Sequence, residues 1–384
     1  MPLKASFYPI KTANPLPRSS HALSFAGQRI HIFGGEIEPR KPVDNVLHSY
    51  QLPSAGVISS QPWEYVTKAD SDGDSSERPP PRVGHTAVSV GPLVLVFGGR
   101  GGKDMTALEE KGRVWAFDTR NDVWTSYDPA DPSAPYPQPR SYHAAAATAA
   151  AAAHTTAAAH TTAPDPDAGT ETQPEVSGTL YIHAGCPSSG RLSDLWSFSL
   201  AHRTWTRLAD APGPPRGGTA LTYAAGRLWR FGGFDGKTEL GGALDLLDLA
   251  GGGATEWESV AYPATEAGPG ARSVATLHPL AGPDGAATHL VLLFGERDPS
   301  SQGHEGAGRF WDDVWSFALG GAGAGAGRGW ERVRIDEVAP RPCARGWFAS
   351  GAFEGGGRRG VVLWGGLDEA NERIGDGWVF LVDG

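Results

Sequence analysis

The chain is nearly without cysteine. Of 384 residues only Cys186 and Cys343 are cysteines, too few for a disulfide framework or a cysteine-rich zinc site. That scarcity points to a reducing, cytoplasmic setting. Long apolar runs are missing too: no stretch approaches the roughly 18 residues needed to span a bilayer, so no membrane span is expected. The first residues, "MPLKASFYPIKTANPLPRS", lack the apolar segment of a secretory leader. Basic clusters are absent and the net charge is −10, which argues against a nucleic-acid surface because phosphate binding needs a basic field. Charged residues make up 20% of the chain, too few for a charge-driven disordered polymer.

What is abundant is glycine, with 53 residues, and proline, with 31. Many short strands joined by tight turns account for both. A strand ending in small residues recurs six times: "IHIFGGE", "LVLVFGGR", "LYIHAGC", "LWRFGGF", "LVLLFGER" and "VVLWGGL". The pairs fall at Gly34–Gly35, Gly98–Gly99, Ala184–Gly185, Gly232–Gly233, Gly295–Glu296 and Gly365–Gly366. Upstream of each stands an arginine: Arg18, Arg82, Arg140, Arg216, Arg272 and Arg345. Downstream comes a further strand and usually a tryptophan: Trp63, Trp124, Trp205, Trp257 and Trp330. Each unit therefore holds four strands, a to d. Glycine allows close backbone approach and tryptophan anchors neighbouring sheets.

The pattern resembles the kelch repeat, and it predicts an all-β fold: a single six-bladed β-propeller over residues 1–384. The sixth unit has no tryptophan after "GDGWVFLVDG", while "ASFYPIKT" has no unit of its own. The N-terminal segment is expected to supply strand d of the last blade, with Phe7 or Tyr8 in the tryptophan's place, leaving no open edge. The Ala/Thr-rich tract at 144–178 reads as a low-complexity loop inside the third a–b hairpin. "GGAGAGAGRG" reads as a flexible c–d loop.

Strand alternation places the b–c and d–a loops on one face. The residues after the small pairs (Glu36, Arg100, Cys186, Phe234, Glu296 and Leu367) then share that face with the strand-a arginines. Most of those arginines are read as parts that build the repeat. Two or three are read as pointing at an anion, since guanidinium grips sulfate or carboxylate bidentately.

Over nearly its whole length the chain resembles the plant specifier proteins of glucosinolate breakdown: epithiospecifier, thiocyanate-forming and nitrile-specifier proteins. The stretches that carry this include "PRSSHALSFAGQRIHIFGGEIEPRKPVDNVLHSY", "PRGGTALTYAAGRLWRFGGFDG", "PRPCARGWFASGAF" and "LLFGERDPSSQGHEGAG". The resemblance implies an Fe(II) site in the last of these, where the family has Glu-x3-Asp-x3-His. Glu296 and His304 match, Ser300 stands at the aspartate position, and Asp298 lies two residues before it. Oxygen and imidazole donors with open positions suit Fe(II) better than structural zinc. The resemblance further implies functional roles for Lys41, Arg100, Arg140 and Trp347.

Two functions follow. One is an Fe(II)-dependent, lyase-type specifier acting on a small anionic sulfur compound such as a glucosinolate aglycone. The other is a non-catalytic kelch propeller that binds a protein partner on the same loop face. The Cys–Tyr cross-link and Tyr/His ligands of a copper radical oxidase have no counterpart in the chain.

Overall fold

The computed structural model describes residues 2–54, 56, 58, 61–66, 78–149, 176–249, 256–263, 268–282, 284–320, 329–336, 338–355 and 358–383. Six sheets form the blades of a propeller, antiparallel except where Arg334–Ile335 pairs in parallel with Lys4–Pro9. From the axis outward, blade 1 holds Ala22–Ala26, Arg29–Phe33, Leu47–Gln51 and Glu64–Val66. Blade 2 holds Thr86–Val90, Leu93–Phe97, Val114–Asp118 and Val123–Tyr127. Blade 3 holds Ala144–Ala149, Gly178–Gly185, Leu192–Ser199 and Thr204–Leu208. Blade 4 holds Ala220–Ala224, Arg227–Phe231, Ala243–Asp248 and Trp257–Ala261. Blade 5 holds Thr276–Ala281, Ala287–Leu293, Val314–Ala318 and Trp330–Arg332. Blade 6 holds Ala349–Gly355, Arg358–Trp364 and Gly377–Val382, and its fourth strand is Lys4–Pro9.

That last pairing closes the ring as the sequence suggested. Phe7 lies opposite Phe380, and Ala5 opposite Val382. Phe7 is buried and Tyr8 only half-buried, so Phe7 takes the tryptophan's place. Elsewhere the strand-d tryptophan packs against the last strand-b side chain of the preceding blade. Trp124 meets Phe33 at 5.4 Å between centroids, Trp205 meets Phe97 at 5.2 Å and Trp330 meets Phe231 at 5.5 Å. Phe7 instead stacks on Phe294 at 5.8 Å.

Phe294 also corrects the blade-5 register. The small pair is not Gly295–Glu296 but Phe294–Gly295. Both residues are left-handed (φ 54° and 103°), as are Gly34 and Gly35 (62° and 92°). A bulky residue is strained there, and in this blade its ring fills the space that a smaller strand-d anchor leaves. The third insertion also begins later than residue 144. Ala144–Ala149 is strand a, paired with strand b from His183 back to Gly178, and Ala144 and Ala146 are buried. The remainder of that tract, residues 150–175, lies outside the described residues, as do residues 321–328 of the glycine-rich loop.

The strand-a arginines join the blades. All are buried. Each donates from Nη1 to the carbonyl of the first small-pair residue in its own blade: Gly34, Gly98, Ala184, Gly232, Phe294 and Gly365, at 2.8–3.1 Å. Each arginine's own carbonyl accepts the amide of the second small-pair residue of the blade before it, as from Gly35 to Arg82 at 2.9 Å. A carboxylate at the start of strand c completes most of these staples: Glu110 with Arg82, Asp194 with Arg140, Asp313 with Arg272 and Asp376 with Arg345. Burying guanidinium is tolerable because both its charge and its donors are matched.

Two residues beyond each arginine the chain is left-handed again, at Ser20, Gly84, Tyr142, Gly218, Val274 and Trp347. Their amides hydrogen-bond from blade to blade around the axis. The chain of bonds runs Ser20 to Trp347, Gly84 to Ser20, Tyr142 to Gly84, Gly218 to Tyr142 and Val274 to Gly218, at 2.6–2.9 Å. This collar separates a loop-lined mouth from the axial channel below it.

Candidate functional site

Above the collar lies a cavity of about 570 Å³. Isolated bridges build its wall: Ser19 to Glu36, Val83 to Arg100, Ser141 to Cys186, Gly217 to Phe234, Ser273 to Glu296 and Gly346 to Leu367. The residue after each small pair is thereby held beside the residue after each arginine, as alternation requires. The floor is aromatic. Tyr142 and Trp347 meet edge to face at 5.3 Å. They also cap a second cavity of about 370 Å³ within the channel.

The cations at the mouth come from the loops. Arg100 Nε donates to Ser141 Oγ at 2.8 Å, and its guanidinium lies 5.2 Å from the Tyr142 ring centroid. It makes no salt bridge among the described residues, and Glu36 feels its charge from a distance. Arg191 lies over Phe234 at 5.0 Å, and its buried Nε is unpartnered among the described residues. Arg373 lines the same cavity and approaches Glu36 Oε1 at 3.9 Å.

Carboxyls face them. Glu36 Oε2 accepts the Arg40 amide at 2.7 Å, and burial raises its pKa. Burial pushes Glu296 up to about 7. Glu239, which does not line the cavity, rises to about 8, chiefly through burial, with Glu296 and Asp235 adding to the rise. Burial also raises the Cys186 thiol and lifts Tyr142 to about 12. A mouth with free guanidinium on one side and easily protonated carboxyls on the other is suited to small anions.

The structure separates the residues that the sequence singled out. Arg100, Trp347, Glu296 and Ser300 line the cavity. Arg140 does not: it is fully buried, and its Nη1 and Nη2 hold Asp194 at 2.6 and 2.8 Å. The same holds for the reading of strand-a arginines as anion ligands; their side chains are engaged within the blades. Lys41 stands on the exposed rim, 3.2 Å from both Glu38 oxygens, outside the cavity wall. Asp298 is exposed and pairs with Arg297 at 3.3 Å. Ser300 Oγ accepts the Gln302 amide at 3.1 Å. His304 belongs to the short turn Gly303–Glu305, and its side chain lies outside the described residues. A Cβ at Gly308 would collide with the Glu296 carboxylate and the Asp298 carbonyl, so glycine is required there. Among the described residues no three His, Cys, Asp or Glu side chains gather around one point. Of the expected iron set the described side chains are Glu296, Asp298 and Ser300.

Arg191, Arg373 and Glu239 were not singled out from sequence. Two of them share a readable signal. Several b–c loops fold back so that a later residue bridges the mouth position, as Glu239 bridges Phe234 and Arg373 bridges Leu367. A charge at the return of a b–c loop therefore belongs to the mouth.

The fold and repeat define the chain as a kelch-repeat β-propeller. Residues 3–154 match the family model described as the KLHDC2/KLHL20/DRC7 Kelch-repeats domain. The chain is 26% identical over 391 residues to the N-(sulfonatooxy)prop-2-enimidothioate sulfolyase of Thlaspi arvense, covering 96% of this chain and 94% of that protein. It is 30% identical over 180 residues to the Drosophila melanogaster host cell factor, of which that match spans 11%. It is 23% identical over 244 residues to human Kelch domain-containing protein 3, spanning 53% of it. Among solved structures, YjhT aligns with a TM-score of 0.63 at 13% identity, covering 97% of this chain and 99% of that one, a likeness of fold. No helix among the described residues is long and apolar enough to cross a membrane.

Proposed function

We propose that the mouth binds a small anionic sulfur compound and promotes lyase-type loss of its sulfate, as the name of the Thlaspi arvense relative describes for that protein. The observation that carries this reading is Arg100: a guanidinium at the cavity wall, fixed through Nε to Ser141, with no salt bridge to a carboxylate among the described residues. In an N-sulfonatooxy imidothioate the N–O bond breaks, its electron pair leaves on the sulfate oxygen, and a bond pair of the imidothioate carbon moves to nitrogen: the C–S pair, releasing sulfur and giving nitrile, or the migrating C–C pair, giving isothiocyanate. A preorganised guanidinium favours that step because negative charge grows where it already points. Tyr142 and Trp347 supply an apolar floor for the organic part.

The test is product analysis. A freshly generated thiohydroximate O-sulfate is incubated with the protein, and nitrile or thiocyanate is measured against spontaneous isothiocyanate. Wild type is expected to shift the ratio and Arg100→Ala to lose most of that shift. An unchanged ratio with wild type overturns the reading. Fe(II) is carried as a parallel measurement: elemental analysis after anaerobic purification, with Glu296→Ala and His304→Ala both expected to lose iron if the loop holds it.

The second reading is a protein-interaction module. Kelch propellers commonly mediate protein contacts, and similarity to host cell factor supports this. Pull-down on the isolated propeller, with Arg100→Glu as the mouth-blocking variant, separates it from the first.

A further inference from the structure

The guanidinium of Arg373 is enclosed, with 8% of its side chain exposed, and it lines the mouth. Its Nη1 is engaged, donating to the backbone and side-chain oxygens of Asn371 at 3.2 and 3.3 Å. Its Nε is buried and has no partner among the described residues. Among the described residues the carboxylate that approaches Nη2 is Glu36, with Oε1 at 3.9 Å, beyond hydrogen-bond reach. Nε and Nη2 form one edge of the guanidinium fork, the edge that grips a two-oxygen anion side-on. The same molecule shows that edge occupied: Arg113 holds Asp128 through Nε at 2.6 Å and Nη2 at 3.0 Å. In Arg373 Nε is enclosed, and neither nitrogen of that edge has a hydrogen bond among the described residues of the cavity it lines. An enclosed donor left unmade is costly unless something fills it.

From this geometry we infer that Arg373 is an oxyanion-binding residue of the mouth, and that Glu36 is its competitor. An incoming sulfate or carboxylate takes the Nε–Nη2 edge, and the loose Glu36 contact is released. Glu36 does not need Arg373 to stay in place, because Oε2 is held by the Arg40 amide at 2.7 Å. The inference rests on the anion reading of the mouth, but adds a residue from blade 6 and an internal rival for it. It makes an unusual demand: removing a carboxylate from the site must strengthen anion binding.

Inorganic sulfate is the probe. Its affinity is measured by titration calorimetry at low ionic strength for wild type, Arg373→Ala, Arg373→Lys and Glu36→Gln. Arg373→Ala is expected to weaken sulfate at least tenfold. Arg373→Lys keeps a charge but has no fork, so it is expected to recover only part of the loss. Glu36→Gln is expected to tighten sulfate severalfold. If Arg373→Ala does not fold, the lysine and Glu36 variants decide the matter. Sulfate binding unchanged in Arg373→Lys, weakened in Glu36→Gln, or undetectable in wild type overturns the inference. A shifted product ratio without sulfate binding would leave the sulfolyase-type reading standing while removing Arg373 from it. Sulfate binding with the expected variant pattern but no product shift would do the reverse.

Discussion

Arg272 and Arg100 lie on the same face of the propeller, and they have opposite fates. Arg272 is fully buried, with Nη1 on the Phe294 carbonyl and both terminal nitrogens on Asp313. Arg100 meets a hydroxyl and an aromatic face, and no carboxylate among the described residues. What differs is the supply of partners. Strand c brings an acid under the strand-a arginine, whereas the b–c loop brings none to Arg100. An arginine on a binding face is thus available to a ligand only if the fold has not already matched it.

The scaffold side of this comparison breaks most severely at ring closure. Deleting residues 2–10 removes strand d of blade 6 and the Phe7–Phe294 stack, exposing an edge. Urea unfolding should show a loss above about 4 kcal/mol, or no cooperative transition. Next, Arg272→Ala leaves Asp313 buried and uncompensated, and should cost about 3–5 kcal/mol. Arg100→Ala, by contrast, should alter stability by less than about 1 kcal/mol while removing the effect on product ratio. Equal stability losses in the two variants would erase the distinction between staple and mouth.

A more gradual effect is expected from acid. Burial lowers His21 and His143 to about 3 and holds His85 well below its usual range. These rings pack beside the small pairs of the neighbouring blades, as His85 does at Gly34. Each binds a proton more readily unfolded than folded. Their contribution is therefore complete above about pH 6.5 and falls as pH drops from there towards 3. Melting temperature measured across that range should decline steadily. His143→Gln should flatten the decline, and a flat wild-type profile would contradict it. Smallest of all, Lys41→Ala should change neither stability nor product ratio measurably, since its exposed pair with Glu38 is worth little.

The repeat was legible because each of its marks performs one mechanical task in every blade. Small pairs, arginines and strand-d tryptophans were therefore countable. A further mark went unread: in "SDLW", "DDVW" and "GDGW" an acid precedes the strand-c tryptophan by two residues. Asp194, Asp313 and Asp376 each accept that indole N–H at 2.7–2.8 Å while pairing with the arginine. Reading that motif would have assigned Arg140 to the scaffold. Phe294 was misread because the left-handed turn is a backbone property, and here packing against Phe7 outweighs the preference for glycine. The alanine tract was read as loop from residue 144 because alanine carries no strand periodicity. Register with Gly178–His183 overrides composition there. Glu239 and Arg373 were missed because loop return, unlike strand alternation, has no fixed period.

Ring closure also sets an order of events during synthesis. Lys4–Pro9 emerges from the ribosome before blades 1 to 5, and its antiparallel partner Gly377–Val382 emerges after them. For most of translation the first strand has no sheet to join, while blades 1 to 5 can assemble from contiguous sequence. The propeller therefore checks its own completeness. A chain halted before residue 377 keeps the five blades it can build but leaves Lys4–Pro9 without its antiparallel partner and Phe7 without Phe380, so apolar surface at the seam stays exposed to aggregation.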